Sequence, residues 1–194
     1  MVKRVFIIHG WDGYPTEAWM PWLKQQLEEE GFVVEAPSMP EPSVPKIETW
    51  VPKVAEVVGQ PDEQTFLVGH SMGCHAILRY LASLEEQKVG GAVLVAPGFR
   101  WEGLEQEGEE IVAIAKPWLE RPLDFNKVRA ATQNITAILS DNDPYGALEY
   151  NQEKLGKLGA KIIVEHNKGH YSEDSGVKEL PAALKAILKY ATHS

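Results

Sequence analysis

One serine in the sequence stands in a setting that suits a catalytic nucleophile. Residues 66–74 read FLVGHSMGC, which contains the motif G-x-S-x-G at Gly69, Ser71 and Gly73. An apolar run leads into Gly69 and a helical pattern begins directly after Ser71, the strand–turn–helix setting in which such a serine is exposed for attack. The two glycines let strand and helix approach closely. A plain turn with a capping serine is the alternative for the motif alone.

A serine hydroxyl attacks only when a base takes its proton, so the chain must also supply a histidine. His170 lies in the loop of residues 167–171, after the last apolar run, and Gly169 allows this loop to turn back over a sheet. We therefore predict His170 as the base. His166 is the alternative, although it directly follows the apolar run, where its side chain would pack against the sheet.

A carboxylate is needed to orient the base, and it should follow the fifth apolar run. There the chain reads SDNDP over residues 140–144. Asp143 precedes proline and is therefore held extended, which suits a side chain reaching for the Nδ1–H of an imidazole. We predict Asp143 in this role, with Asp141 as the alternative. The order serine, aspartate, histidine is the one expected when the serine lies in G-x-S-x-G.

Two main-chain N–H groups are predicted to form an oxyanion hole. One belongs to Met72, the residue after the nucleophile. The other belongs to Trp11, in the loop of residues 9–13 after the first apolar run, where Gly10 and Gly13 let the backbone turn inward. A donor of this kind contributes about 3 kcal/mol to stabilising the transition state.

Short apolar runs alternate with segments of helical period along the chain, which predicts a parallel sheet wrapped by helices. Strands are predicted at residues 2–8, 32–36, 65–68, 91–96, 135–139 and 161–165. Helices are predicted at residues 16–30, 47–58, 72–84, 147–158 and 180–190. We expect a single α/β domain over residues 1–194, doubly wound, with a mostly parallel six-stranded sheet.

The segment of residues 97–134 is long for one crossover and is predicted to form a small cap with two short helices, near residues 109–115 and 126–132. Loops at this edge of a sheet determine which substrates enter. We expect the aromatic side chains of the cap to line one wall of the pocket, and the short cap to favour short acyl groups. The residues concerned are Phe99, Trp101 and Trp118. Ordinary core positions are the alternative for these aromatics.

Composition excludes several classes of protein. The net charge of −9 disfavours nucleic acid, whose phosphates need a basic surface. No run of eighteen apolar residues is present, so no membrane span is predicted. Cys74 is the only cysteine, which rules out an intrachain disulfide and favours a cytoplasmic location. His166 and His170 lie four apart without an H-E-x-x-H pattern, so neither a metal nor a cofactor is predicted.

Together these motifs resemble the compact α/β-hydrolase-type serine hydrolases of the YdeN and retinoblastoma-binding hydrolase family. The resemblance covers essentially the whole chain. It rests on residues 7–10 (IIHG), on residues 69–74 (GHSMGC) with the helix through residues 78–79, on Asp143, and on Gly169 and His170. It implies strand order 2-1-3-4-5-6, a site at the carboxyl ends of the strands, and the triad Ser71, Asp143 and His170.

The function predicted from these observations is hydrolysis of a small acyl ester, amide or thioester through a Ser-His-Asp triad and an acyl-enzyme intermediate. The short L-x-C-x-E element used by many retinoblastoma-binding proteins is absent, so that interaction is not predicted and protein partners stay unknown. Two alternatives stay open: a protein-binding module that kept the fold and lost the chemistry, and a cofactor-free lyase or haloperoxidase-type enzyme, because fold does not determine reaction.

Overall fold

Six strands form one sheet in which every neighbouring pair is parallel. The computed structural model describes residues 2–192. The strands are β1 (Arg4–Ile8), β2 (Val33–Glu35), β3 (Thr65–His70), β4 (Gly91–Val95), β5 (Ile135–Ser140) and β6 (Lys161–Glu165). Their order across the sheet is β2-β1-β3-β4-β5-β6. The order implied by the family resemblance is therefore confirmed, and the sheet is wholly rather than mostly parallel.

Helices cover both faces of this sheet. They are α1 (Met20–Glu29), α2 (Ile47–Val58), α3 (Met72–Ser83), α4 (Glu109–Glu120), α5 (Phe125–Ala131), α6 (Leu148–Leu158) and α7 (Pro181–Ala191). One apolar core joins the sheet to α2, α3, α4, α5 and α6, and a second core joins the opposite face to α1 and α7. The central strands β3 and β4 are buried along their whole length, as their continuous apolar runs predict.

Helix α1 begins later than the sequence pattern predicts. We expected it from Thr16, whereas residues 11–19 form turns and the helix starts at Met20. Pro21 explains the difference, because a proline lacks the N–H needed in a helix interior and is tolerated in the first turn. The turns before α1 keep irregular backbone near the carboxyl ends of β1 and β3.

The segment of residues 97–134 contains two helices, as predicted, and a short 3₁₀ turn at Leu104–Gln106. Helix α4 extends to Glu120, and its C-terminal end lies against α3, because the Arg79 guanidinium donates hydrogen bonds to the Trp118 and Arg121 carbonyls at 3.0 and 2.9 Å. The chain between β4 and the 3₁₀ turn crosses the carboxyl edge of the sheet. No helix within residues 2–192 is long and apolar enough to cross a membrane.

Candidate active site

Ser71 follows β3 directly and adopts a strained backbone conformation. Its φ is 49° and its ψ is −117°, a region that residues other than glycine rarely occupy and that is found mostly where function requires it. The main-chain N–H of Ser71 donates to the Val95 carbonyl of β4 at 2.9 Å, which helps to hold the turn. Gly73 has to be glycine, because a Cβ there would lie 2.4 Å from the Ile8 carbonyl oxygen.

Three side chains form a continuous chain of hydrogen bonds that begins at this serine. The Ser71 Oγ lies 2.8 Å from the His170 Nε2. The His170 Nδ1 lies 2.9 Å from each carboxylate oxygen of Asp143. With the imidazole neutral, Nδ1–H donates to the carboxylate, and the lone pair of Nε2 faces the serine hydroxyl. The structure therefore brings the predicted nucleophile, base and acid together in the order that proton transfer requires.

The loop after β5 and the loop after β6 lie side by side and are held together by hydrogen bonds. These bonds help to position His170 at the carboxyl end of the sheet. Three hydrogen bonds run from main-chain N–H groups of the second loop to side chains of the first. The donors Asn167, Lys168 and Gly169 bond to Asp141 Oδ1, Ser140 Oγ and Asn142 Oδ1 at 2.9, 2.9 and 2.8 Å. Asp143 in turn accepts the main-chain N–H of Tyr145 at 2.9 Å. The carboxylate is thus oriented by its own turn.

A second aspartate–histidine pair lies in the same two loops. Asp141 Oδ2 is 2.6 Å from His166 Nδ1, and the His166 side chain is 82% exposed. The hydrogen bond from Asn167 N–H and then the His166 ring hold the pKa of Asp141 below its usual range. By contrast, the side chains of His170 and Asp143 are 13% and 9% exposed. Of the two histidines considered from the sequence, it is His170 that contacts Ser71.

The loop between β1 and α1 passes directly beside Ser71. A Cβ on Gly10 would lie 3.0 Å from the Ser71 Cβ, a tight contact that would require the neighbouring atoms to shift by a few tenths of an ångström. The loop is anchored by the Trp11 indole N–H, which donates to the Ser43 carbonyl at 3.0 Å, and by the Asp12 N–H, which donates to the Pro42 carbonyl at 2.8 Å. The backbone at Trp11 is thereby held next to Ser71.

His9 supports this loop from beneath. Its Nε2 accepts the main-chain N–H of Met39 at 2.9 Å, so the ring proton lies on Nδ1 and is donated to the Gly10 carbonyl at 2.8 Å. Burial lowers the pKa of His9 and keeps the ring neutral. No role is predicted for His9 from the sequence, although it immediately precedes the glycine of the loop.

A row of aromatic rings leads from the β1–α1 loop to His170. The ring centroids of Trp11 and Trp101 are 6.4 Å apart, those of Trp101 and Tyr145 are 5.2 Å apart, and those of Tyr145 and His170 are 5.0 Å apart. All three contacts are edge-to-face, a favourable geometry for aromatic pairs. Tyr145 joins the row from outside the predicted cap, because it lies two residues after Asp143 in the loop that follows β5.

The other two aromatics predicted for the pocket wall lie elsewhere. Trp118 is 1% exposed, donates its indole N–H to the Pro45 carbonyl at 2.9 Å, and packs edge-on against Trp50. Trp118 belongs to the core between α2 and α4, because the apolar face of α4 packs against α2. Phe99 is half-buried between the rings of His75 and Phe125. Of the three predicted aromatics, Trp101 is the one that joins the aromatic row beside His170.

No group of three or more histidine, cysteine, aspartate and glutamate side chains within residues 2–192 has a geometry suited to a metal ion. A strained serine at the end of a central parallel strand, with a histidine at its side on the loop after β6, is instead the arrangement of an α/β-hydrolase. The family model described as serine hydrolase matches residues 5–189, and the chain belongs to that family.

Individual relatives agree with this assignment over nearly the whole chain. The putative hydrolase YdeN of Bacillus subtilis is 28% identical over 190 residues, which cover 98% of this chain and 97% of that protein. The serine hydrolase RBBP9 of Rattus norvegicus is 29% identical over 181 residues, covering 93% and 91%. The crystal structure of the B. subtilis ydeN gene product superposes with a TM-score of 0.89 and covers 98% of this chain and 100% of its own.

A more distant likeness concerns the fold alone. The carboxylesterase CesB (YbfK) from B. subtilis superposes with a TM-score of 0.67 at 14% identity, covering 100% of this chain and 85% of its own. The helical layers and the six-stranded sheet are therefore shared with a larger enzyme.

Proposed function

We propose that this protein hydrolyses small acyl esters through a covalent acyl-enzyme formed on Ser71. The observation that carries the proposal is the unbroken chain of hydrogen bonds from Ser71 Oγ through His170 to the Asp143 carboxylate. In the first step His170 Nε2 takes the hydroxyl proton while Oγ attacks the ester carbonyl, and Asp143 stabilises the imidazolium that forms.

The second step breaks the ester. The tetrahedral intermediate collapses, its C–O bond to the alcohol breaks, and the leaving oxygen takes the proton from His170 Nε2. Water then enters, gives a proton to His170 and attacks the acyl carbon, after which Ser71 Oγ leaves and recovers that proton. The reaction needs no cofactor, because the serine supplies the nucleophile and the histidine transfers the proton in both halves.

The negative charge of the intermediate would be held by the N–H groups of Met72 and Trp11. Met72 is the first residue of α3, so its N–H belongs to the first turn of a helix, where donors have no partner within the helix. The loop that carries Trp11 lies against Ser71 through Gly10. Both donors are main-chain groups on anchored segments, so they need no reorganisation as charge develops.

The substrate would lie with its apolar part along the row Trp11, Trp101 and Tyr145. Tyr145 is 45% exposed although its ring contacts that of the base, so an apolar surface is open to solvent beside the reacting atoms. This favours an uncharged ester with a short apolar acyl group. A reducing, cytoplasmic location is proposed with it, because Cys74 is the only cysteine and the chain therefore uses no intrachain disulfide.

A fluorophosphonate probe tests the proposal, because it forms a covalent bond with an activated serine. The wild type should be labelled, Ser71→Ala should not, and EDTA should change nothing. Ser83→Ala is the control, since Ser83 lies at the far end of the same helix and its hydroxyl donates to the Tyr80 carbonyl. Labelling that persists in Ser71→Ala, or that EDTA abolishes, would contradict the proposed nucleophile.

A further inference from the structure

The loop that carries His170 is conformationally strained. Asn167, Gly169 and Tyr171 all have positive φ values, of 56°, 54° and 56°. Glycine adopts the left-handed region freely and asparagine tolerates it, so the strain falls mainly on Tyr171, the residue after His170, and it persists only where the surroundings hold it. The position of the base therefore depends on contacts made from outside the loop.

Two buried rings supply such contacts to the main chain of the loop. The His70 Nε2–H donates to the main-chain carbonyl of His170 at 2.7 Å, and the Trp19 indole N–H donates to the next carbonyl, that of Tyr171, at 3.1 Å. The two donor rings pack edge-on, with centroids 6.2 Å apart. Consecutive carbonyls of the loop are thus held by two side chains that contact each other.

His70 is the more directly placed of the two. It is the residue before Ser71, its ring centroid lies 5.2 Å from that of His170, and a Cβ on Gly10 would lie 3.1 Å from its Nδ1. The ring therefore fills the space between the loop that carries Trp11 and the loop that carries the base. A shift of this ring would move His170 relative to Ser71.

The hydrogen bond determines where the proton of His70 lies. A carbonyl only accepts, so Nε2 carries the proton, and Nδ1 is buried without a hydrogen-bond partner within residues 2–192. Burial, and then the neighbouring His170, lower the pKa of His70 to about 3. The His70 ring is therefore neutral at neutral pH and has one N–H proton to donate.

We propose that His70 is a positioning residue for the hydrolysis: its Nε2–H holds the main-chain carbonyl of His170 and thereby keeps the imidazole of His170 within reach of the Ser71 hydroxyl. This inference rests on the proposed function, because it assigns His170 as the base. His70 itself contacts neither the substrate nor the transferred proton.

Two amide substitutions separate the donor from the bulk of the ring. In His70→Gln the amide nitrogen lies about as far along the side chain as Nε2 and can donate to the same carbonyl. In His70→Asn the nitrogen corresponds to Nδ1 and cannot reach. We expect His70→Asn to lower the rate of fluorophosphonate labelling and kcat for a short ester by about 10- to 100-fold, the cost of a misplacement near 1 Å, with KM little changed. His70→Gln should recover most of that loss.

His75 provides a matched control. It is also a buried histidine, and its Nε2–H donates to a main-chain carbonyl at the same 2.7 Å, but that carbonyl belongs to Gly98 rather than to the loop of the base. His75→Asn should lower the thermal midpoint about as much as His70→Asn, yet leave the labelling rate nearly unchanged. If the two asparagine variants lose labelling equally, or if His70→Gln is no better than His70→Asn, the positioning role is overturned.

A measurement on the unmodified protein keeps the test independent of how the variants fold. A ¹⁵N–¹H correlation spectrum at neutral pH should show a neutral His70 with its proton on Nε2, and a proton on Nδ1 would overturn the proposal. Failure of the wild type to label would overturn the hydrolase function and this inference with it. Labelling of the wild type and of His70→Asn at the same rate would overturn this inference alone.

Discussion

Two aspartate–histidine pairs lie side by side in this protein, and replacing one aspartate at a time should distinguish them. Asp143 pairs with His170 beside Ser71, and Asp141 pairs with His166 at the surface. Both pairs are bonded through Nδ1, and the surface pair is the shorter, at 2.6 Å against 2.9 Å. Distance alone would therefore favour the surface pair, whereas contact with Ser71 favours the pair that contains His170.

Asp143→Asn should remove catalysis while keeping the shape of the site. Both carboxylate oxygens lie 2.9 Å from the His170 Nδ1, so the new amide can place its NH₂ group against that nitrogen. The ring proton would then move to Nε2, which could no longer accept a proton from the serine hydroxyl. When a triad aspartate becomes asparagine the loss is about 10⁴-fold in kcat, which corresponds to about 5.4 kcal/mol of transition-state stabilisation.

Asp141→Asn is the matched control. The amide keeps an oxygen for the Asn167 N–H, so the contact between the two loops survives, and the exposed pair loses only a solvent-screened charge. We expect kcat for a short ester to fall by less than about tenfold. His170→Ala and His166→Ala should show the same order of effects.

The assay is kcat for a short ester, with the rate of fluorophosphonate labelling measured in parallel on each variant. A larger loss from Asp141→Asn than from Asp143→Asn would transfer the acid role to Asp141. A loss of less than about tenfold from Asp143→Asn would refute the argument from the ring tautomer.

Two further predictions concern the aromatic row and the buried histidines. Trp101→Ala removes the ring between Trp11 and Tyr145, so kcat/KM should fall more for bulkier acyl esters than for an acetate; an equal loss across the series would contradict the proposed wall. Burial lowers the pKa values of His70 and His75 to about 3 and about 4. Because the unfolded chain protonates both rings near pH 6.5, it binds more protons than the folded chain below that pH. The free energy of unfolding should therefore fall by roughly 1.4 kcal/mol per pH unit for each ring as pH drops from about 6.5 towards 4. Denaturant titrations repeated between pH 6.5 and 4 should show that the free energy of unfolding depends less steeply on pH in His75→Asn than in the wild type. An unchanged dependence on pH would contradict this account.

Much of the fold could be predicted from local patterns in the sequence. Helix α2 and strand β6 have the predicted boundaries, because hydrophobic periodicity and chain breakers act over a few residues. The start of α1 was predicted four residues too early, since the apolar spacing was weighed and the position of Pro21 was not. Sequence rules predict a helix boundary well where hydrophobic periodicity and chain breakers agree. They misplace the boundary where a breaker such as Pro21 overrides the periodicity.

The residues of the candidate site could be predicted only in part from local sequence patterns. The motif around Ser71 could be recognised because its glycines serve a local turn. Local patterns distinguish poorly between His170 and His166, or between Asp143 and Asp141. The members of each pair are the same residue type and lie a few positions apart in one loop. Their pairing depends on how the β5 and β6 loops lie against each other and on which histidine faces β3.

The sequence by itself determined the order of strands and helices along the chain, the turn at Ser71 and a short set of candidate side chains. Only the tertiary structure decided that Trp118 lies in the core, that Tyr145 contacts the ring of His170, and that His70 donates a hydrogen bond to the main chain of a residue one hundred positions away. The physical reason is range. Helical and strand periods report which face of an element is apolar, whereas a hydrogen bond between distant loops depends on the packing of several elements at once.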